Sequence, residues 1–421
     1  MNEHSASVNG ISIYSLTNPN LRSFCLSLYV RAGSIFEDSS NNGISHLFEH
    51  VVFRNIKNKY ENFYELLAMH GLCFQGSTYK KFVSFTIDGP QHEFDFAIEI
   101  LCGLFDEIKL TSHDFNNEKG RIKAEIREKD RRSSLDFYFD SIVWKNSEVE
   151  KIVLGYCKTV DRVSVKKINE FRQKVLSAGN CFVYATGNIS DENLDALNKK
   201  ISELDISQSN PGFTNTVTVN DEFFHREKKI WIKNNYWHYI QIGFDVDCSK
   251  YPGGVYDLLY ALLFNGDKAL VYNYLSEDNP IIYSYDSAFA QYDNVGNINF
   301  SFEVDRNKIE DVFKTVVELL NAAKDGRFNF EANLNYEMFN WELDLDKPSN
   351  LNWNMACYNH ILKTEPIDYS DEFYGRFRVT KKQVTDAAKD IFRRCNMTVA
   401  MKGNKKKINT DAIEKILESL D

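Results

Sequence analysis

The chain has 421 residues, of which 43% are hydrophobic and 26% are charged, and its formal net charge at pH 7 is −10. This length predicts two or more domains, and this composition is typical of a globular protein with buried cores. The negative charge argues against a nucleic acid partner and favours a neutral or basic peptide. No run of about eighteen apolar residues occurs, so we expect no membrane-spanning helix and no membrane partner.

The termini and the cysteines favour a cytoplasmic protein. The first residues contain no basic segment followed by an apolar run, so we expect no signal peptide. The eight cysteines are scattered without a Cys-x-x-Cys pair, and several fall in apolar segments, which predicts buried free thiols. The short basic run 405–407 is expected to be a solvated turn.

In the first half, strand patterns come before helix patterns and the order then repeats, which predicts the α+β class rather than a doubly wound parallel sheet. Apolar alternation predicts the strands, and apolar residues at helical spacing predict the helices. The predicted strands are 11–16, 24–30, 73–78, 82–87 and 181–186, and the predicted helices are 60–70, 94–108, 115–131, 140–143 and 163–176.

Residues 43–53 contain the pattern His46-x-x-Glu49-His50, the inverted zinc-peptidase motif. On a helix, residues four apart lie one turn above each other, so the two imidazoles can bind one Zn²⁺. Glu49 lies on nearly the same face, where it can take a proton from a zinc-bound water without being a ligand. Two surface histidines on an amphipathic helix would give the same pattern, so the motif alone leaves both interpretations open.

The helix predicted over 115–131 carries glutamates that could complete the site. Glu118 and Glu125 are seven residues apart, which places them on one face two turns apart. Glu125 can supply a carboxylate oxygen as the third ligand, while Glu118 can orient a histidine or a water. Glu128 competes for the role of ligand, and helical glutamates are usually solvated, so these residues by themselves leave the choice open.

The second half of the chain contains a degenerate repeat of the first half. Residues 254–264 align with residues 43–53 at an offset of 211, and the glycine, the apolar positions and the closing phenylalanine coincide. Asp257, Tyr260 and Ala261 stand where the two histidines and the glutamate stand, so this copy has lost the metal-binding set. A chance similarity between two apolar helices is the alternative.

The later elements repeat the order of the first half, which favours an internal duplication with one active half. We expect an N-terminal zinc-binding domain over 1–207, a linker over 208–220, and a homologous C-terminal domain without zinc ligands over 221–421. The predicted strands of this half are 239–246, 281–289, 298–304 and 397–401, and the predicted helices are 308–323, 328–343 and 381–392.

The sequence resembles the pitrilysin, insulysin and mitochondrial-processing-peptidase family of inverted-motif zinc peptidases, and within it the short subunits of about this length. The resemblance covers most of the first half, and the second half matches in pattern more than in residues. It implies two similar α+β domains per subunit and a dimer that encloses a chamber for unfolded peptides. The segments that carry it are 30–34, 43–50, 74–81, the Glu118/Glu125 pair and 181–190.

The resemblance also implies a role for each residue of the motif. His46, His50 and Glu125 would bind zinc, because the family places its third ligand second in a pair of glutamates spaced in this way. Glu49 would be the general base, and Glu118 would support the site without binding the metal.

Two positions depart from the family pattern. The substrate-binding edge strand usually has Asn-Ala, whereas this chain has Gln75-Gly76. That strand is expected to pair with the substrate backbone by β-augmentation. The second domain usually offers an Arg and, seven residues later, a Tyr, both of which hold the substrate carbonyl. Tyr283 is present here, but Ser276 replaces the Arg, and Ser cannot supply a charged bidentate donor.

These features predict one half of a heterodimeric zinc endopeptidase. In the family, the Arg/Tyr pair can act from the partner subunit, so a homologous sibling would supply it. The resemblance also suggests processing of a leader or precursor peptide. The alternatives are a homodimeric peptidase without the Arg, and a non-catalytic structural or peptide-binding subunit. Such silent subunits typically lose motif residues, whereas all five assigned positions are intact here.

Overall fold

A computed structural model of the chain describes residues 3–132, 134–213, 217, 219, 221–362 and 377–420. The chain forms two compact units, one of residues 1–132, 148–215 and 343–370 and one of residues 133–147, 216–342 and 371–421. Each unit takes a segment from the other half of the sequence. The predicted domain limits, 1–207 and 221–421, concern the duplicated sequence and stay a prediction.

The first unit is built on a six-stranded mixed sheet. Its strands are β1 (His4–Val8), β2 (Ile11–Thr17), β3 (Ser23–Val30), β4 (Cys73–Thr78), β5 (Val83–Pro90) and β6 (Cys181–Gly187). They are ordered β1-β2-β6-β3-β5-β4. Only β2 and β6 are parallel neighbours among these described strands, so the predicted mainly antiparallel sheet is confirmed. β4 forms one edge of the sheet.

The second unit repeats this topology. Its strands are β7 (Ile230–Asn234), β8 (Tyr239–Asp247), β9 (Asp286–Tyr292), β10 (Val295–Glu303) and β11 (Met397–Gly403). The order β7-β11-β8-β10-β9 matches β2-β6-β3-β5-β4, and the parallel pair recurs between β7 and β11. The fold class predicted from the sequence, two similar α+β domains related by duplication, is therefore confirmed.

The helices pack on these sheets and carry most of the candidate site. In chain order they are α1 (Ile44–Lys59), α2 (Phe63–Met69), α3 (Phe94–Gly103), α4 (Ser112–Arg132), α5 (Ser134–Val143), α6 (Cys157–Arg162), α7 (Val165–Val175), α8 (Asp191–Ser202), α9 (Asp221–Phe224), α10 (Gly253–Phe264), α11 (Leu270–Tyr272), α12 (Ile309–Lys324), α13 (Phe330–Asp344), α14 (Pro348–Met355), α15 (Lys381–Ile391) and α16 (Thr410–Leu417). None of these described helices combines the length and the apolar character needed to cross a bilayer.

Two equivalent helices are exchanged between the halves of the sequence. α14 packs on β3 and β6 of the first unit, whereas α5 packs on β8 and β11 of the second. Asn352 of α14 accepts a hydrogen bond from the Tyr29 hydroxyl at 2.9 Å and donates to the Tyr184 carbonyl at 2.9 Å. In the second unit, a Cβ on Gly243 would lie only 2.4 Å from the ring of Phe139 of α5. Each central strand is thereby covered on both faces.

The structure corrects several predicted boundaries. The strand expected over 281–289 begins only at Asp286, because the Ile281 and Ile282 amides both donate to the Leu275 carbonyl and hold these residues in a loop. The helix expected over 94–108 ends at Gly103, and the helix expected over 163–176 is preceded by the separate α6. β1 and α14 were not predicted, and β1 is mostly exposed, so it has no apolar alternation to reveal it.

A buried ion cluster on β8 makes the second unit sensitive to a single charge. The Asp245 side chain has no exposed surface, and its Oδ2 lies 2.7 Å from both Lys228 Nζ and Arg226 Nη1. Asn297 Nδ2 donates to Oδ1 of the same carboxylate at 3.1 Å. Burial lowers the pKa of Lys228, which is 2% exposed, so this cation depends on the carboxylate for compensation.

We expect Asp245→Asn to lower the free energy of unfolding by about 3–5 kcal/mol, because it leaves buried cations uncompensated. Urea unfolding followed by circular dichroism measures this loss. The matched control is Lys382→Met, which breaks the more exposed pair with Asp386 and should cost under ~1 kcal/mol. Equal losses for the two variants would show that the buried cluster does not stabilise the unit.

Candidate metal centre

Three potential metal-ligating side chains meet where α1 packs against α4. One donor atom from each of His46, His50 and Glu125 lies within 4.8 Å of the other two. Glu125 Oε2 lies 3.5 Å from His46 Nε2 and 3.9 Å from His50 Nε2, while Oε1 lies 3.3 Å from Lys129 Nζ. Two imidazole nitrogens and one carboxylate oxygen form a set typical of catalytic zinc, with a fourth position left for water or substrate. The residues present therefore fit zinc.

The apolar pattern of α1 explains why these side chains face α4. Ile44, Leu47, Phe48 and Val51 recur at helical spacing, are all buried, and belong to the core of the first unit. This stripe packs the helix on β4 and β5. His46 and His50 lie between these positions along the sequence, and both face Glu125 of α4.

A buried carboxylate fixes the N-terminus of α1. Glu37 accepts hydrogen bonds from the Gly43 amide at 2.7 Å, the Ser45 amide at 2.8 Å and Asn42 Nδ2 at 2.7 Å. Burial raises the pKa of Glu37, while the bonds it accepts act in the opposite direction. A negative charge at this end also complements the helix dipole. The role of Glu37 as the anchor of this helix was not predicted from the sequence.

The two histidines are held in different ways. Burial, helped by His50 and Lys129, lowers the pKa of His46 to about 3, so its ring is neutral and suited to bind a metal. Burial acts on His50 in the same direction, but Glu118, Glu49 and Glu125 outweigh it and raise the pKa of His50 above its usual range.

Glu118 orients His50 from the side opposite the candidate metal position. Its Oε2 lies 3.5 Å from His50 Nδ1, which leaves Nε2 directed toward Glu125. The Glu118 carboxylate is 2% exposed, and its Oε1 lies 3.2 Å from Arg54 Nε and 3.4 Å from Arg121 Nη1. Arg54 was not singled out in the sequence, although its place one turn after His50 is the signal that could have found it. A partner on the second ring nitrogen is the usual support of a metal-bound histidine.

Glu49 lies beside this group but is not one of the three donors. Its Oε2 is 4.0 Å from His46 Nε2 and accepts a 2.9 Å hydrogen bond from the Thr78 hydroxyl of β4. Burial raises the pKa of Glu49. A Cβ on Gly76 would lie 2.8 Å from Glu49 Oε1, so the glycine leaves the carboxylate its room. The Gly at this departure from the family pattern thus has a local physical reason, and Thr78 is a contact that sequence reasoning missed.

The other predicted residues lie outside this group. Glu128 is exposed on α4, and Gln75 is exposed on the edge strand β4, where its Nε2 donates to Cys73 Sγ at 3.1 Å. Tyr283 and Ser276 belong to the second unit, and the Tyr283 side chain is 99% exposed.

The degenerate copy of the motif on α10 makes different side-chain contacts. Tyr260, which stands at the position of Glu49, has its hydroxyl 2.8 Å from the Ser287 hydroxyl of β9, and Ala261 is buried. Among the described residues, the metal-ligating geometry occurs only between α1 and α4.

The fold and this arrangement define a class of two-domain zinc-peptidase-like proteins. Residues 13–155 match the family described as insulinase (peptidase family M16), and residues 162–332 match the peptidase M16 inactive domain. The chain therefore belongs to the M16 family, as its resemblance predicted. The match to the inactive domain includes residues 254–264, in which the zinc ligands are missing.

Named relatives and solved structures agree with this family. The chain is 21% identical over 324 residues to the uncharacterised zinc protease YmxG of Bacillus subtilis. This alignment covers 75% of this chain and 77% of that protein. It is 23% identical over 190 residues to the mitochondrial-processing peptidase subunit beta of Saccharomyces cerevisiae, which covers 44% of this chain and 41% of that protein. The fold is similar to a protease from Helicobacter pylori with a TM-score of 0.81 at 18% identity, covering 96% of this chain and 99% of that one.

We expect Thr78→Val to lower kcat for peptide cleavage by roughly ten- to a hundredfold, because a hydrogen bond to a charged group contributes about 1.5–3 kcal/mol. KM and zinc content should change little, since Thr78 contacts Glu49 and none of the three donors. Thr78→Ser keeps the hydroxyl and serves as the control. Steady-state kinetics measure kcat and KM. A Val variant as active as the Ser variant would show that the hydrogen bond from Thr78 to Glu49 does not contribute to cleavage.

Proposed function

We propose that this chain is the zinc-binding subunit of a metallo-endopeptidase that cleaves peptides or unfolded segments. In this proposal His46, His50 and Glu125 hold the metal, and Glu49 is the general base. The observation that carries the proposal is the convergence of three donor atoms within 4.8 Å, beside a buried carboxylate that is not one of them.

Zinc bound there would polarise the scissile carbonyl and lower the pKa of the attacking water. Glu49 takes a proton from that water and passes it to the leaving amine. Its raised pKa suits both steps, because a carboxylate that is too acidic would hold the proton poorly. The Thr78 hydroxyl keeps one carboxylate oxygen in place, and Glu118 keeps the His50 ring in the orientation the metal needs.

The edge strand β4 offers a place for the substrate backbone next to this base. Within the described sheet, β4 pairs only with β5, so its other edge can accept an extended peptide. Gln75 and Gly76 lie on this strand, and Gly76 is the residue adjacent to Glu49. Main-chain pairing would give affinity with little dependence on sequence, and side-chain pockets would give selectivity.

We further propose that a homologous sibling subunit completes the site. Tyr283 is exposed and available for a substrate carbonyl, but Ser276 stands where the family usually has the Arg that binds beside it. The relative from Saccharomyces cerevisiae is named as a subunit, which is consistent with a paired assembly. A leader or precursor peptide is the substrate we expect for such a pair.

The decisive variants separate metal binding from proton transfer. We expect wild-type protein purified with zinc to carry about one zinc per chain, and Glu49→Gln to keep this zinc while losing at least about a hundredfold in kcat. Glu125→Gln should weaken zinc binding, whereas Glu128→Gln, on the same helix, should retain it. Atomic absorption and cleavage of an unfolded casein probe measure both properties. A wild-type protein that binds no zinc would refute the metallopeptidase proposal.

The subunit composition is tested separately. Native mass spectrometry of the chain expressed alone, and then with a homologous gene encoding the Arg/Tyr pair, should show a mixed dimer in the second case. Cleavage activity should rise only with that dimer. A fully active symmetric homodimer of this chain alone would rule out the sibling proposal but not the peptidase proposal.

A further inference from the structure

A cavity of about 800 Å³ opens at one end of the second sheet, and none of the residues that line it is assigned to the metal centre. Four segments of the second unit surround it: 236–238 before β8, 281–284 before β9, 303–307 after β10, and the turn after β11 that contains Asn404 and Lys407. The strand order places the start of β8 and the ends of β10 and β11 at this same end. Its volume is in the range of a ligand site.

Three exposed aromatic side chains form part of the walls. Tyr236 is 79% exposed, Trp237 is 59% exposed and Tyr283 is 99% exposed. The rings of Tyr236 and Trp237 meet edge to face with centroids 5.1 Å apart. Ile282 and Val304 are buried and line the same cavity. Aromatic groups gathered around a concave site are typical of a binding surface, because Trp and Tyr bury much area at a low entropic cost.

The carboxylates at the cavity already have partners within the protein. Glu303 interacts with the Tyr239 hydroxyl, and Asp305 Oδ1 accepts a 2.8 Å hydrogen bond from the Asn307 amide. His238 Nε2 lies 3.4 Å from the Asn404 amide, which donates to it. Burial, together with the nearby Arg306, lowers the pKa of His238, so its ring is neutral near pH 7.

The cations at the rim are in a different situation. Within the described part of the chain, the side chains of Arg306 and Lys407 form no ion pair at 4 Å or less, and both are exposed. Lys405 and Lys406 are exposed in the same turn as Lys407. The two cations that line the cavity are balanced by Glu303 and Asp305, which also line it. Lys405 and Lys406 then give these six residues together a net charge of +2, in a chain whose net charge is −10. Carboxylates of a ligand would be attracted to this rim.

We propose that this cavity binds a segment of the substrate peptide in which an aromatic side chain is flanked by acidic residues. The aromatic group would pack against Trp237 and Tyr283 over the apolar floor, and the flanking carboxylates would pair with Arg306 and Lys407. This inference rests on the proposed peptidase function, because Tyr283 is also the residue expected to meet the substrate. It assigns selectivity to the second unit, whereas the edge strand β4 supplies only main-chain pairing.

Direct binding tests this site without requiring cleavage. The full-length chain carrying Glu49→Gln is titrated into a fluorescently labelled, unstructured peptide with an Asp-Asp-Phe-Asp core, and anisotropy gives Kd. Comparison peptides replace Phe with Ala, or each Asp with Lys. We expect both replacements to weaken binding, and added salt to weaken only the acidic peptide strongly.

Variants locate the peptide on the protein. We expect Trp237→Ala to raise Kd about tenfold or more, as for a central aromatic contact. Arg306→Gln should raise Kd about fivefold for the acidic peptide and leave the Lys peptide unaffected. Phe339→Ala is the matched control, because Phe339 is 55% exposed on α13 of the same unit and does not line the cavity. Circular dichroism verifies that each variant is folded.

The outcomes separate this inference from the proposed activity. Equal Kd values for the Trp237→Ala and Phe339→Ala variants would overturn the inference, even if the wild type cleaves peptides. Peptide binding that depends on Trp237 would support it, even if the wild type cleaves nothing. A Trp237→Ala variant that keeps peptide affinity but no longer assembles with a sibling subunit would identify the cavity as a subunit interface and overturn the inference.

Discussion

The packing of α1 against α4 is the constraint on which the site depends. One face of α1 must bury an apolar stripe on the sheet, and this leaves its polar residues in a narrow, largely dehydrated space beside α4. Dehydration has opposite effects on the two kinds of group there. It keeps His46 neutral, which suits the proposed metal ligand, and it raises the pKa of Glu49, which suits the proposed general base. Burial of the same helix face therefore shifts both pKa values in the direction that the proposed roles need.

Such a space would be unstable if its charges lacked partners. Glu118 is almost fully buried, and Arg54 compensates it from the same helix that carries His50. At the N-terminal end of this helix, Glu37 accepts hydrogen bonds from backbone amides that have no partner within the helix. The two carboxylates thus hold α1 at both ends of the motif, so the histidine positions depend on contacts outside the five-residue pattern.

The helix period explains what the sequence could predict and what it could not. Spacings of four and seven residues place His46 with His50, and Glu118 with Glu125, whatever the tertiary structure is. Thr78 is different, because it reaches Glu49 from a strand 29 residues later, and only the docking of α1 on β4 creates that contact. The strand order is likewise set by long-range pairing that no local pattern contains, although the repeated order of elements indicated the duplication.

The exchanged helices and the degenerate motif show what the duplication preserved. α5 and α14 occupy matching places in the two halves, and each covers the sheet of the other half, so both copies had to keep this surface compatible. The residues of α10 at the motif positions were not preserved in this way. A phenol–hydroxyl contact, Tyr260 with Ser287, replaces the carboxylate that lies against a glycine in the first copy. This contact needs neither a metal nor a charge, so the topology of the second unit does not depend on a metal site at α10. Three of its exposed aromatic side chains, Tyr236, Trp237 and Tyr283, lie instead around the cavity at the end of the sheet, outside the buried core.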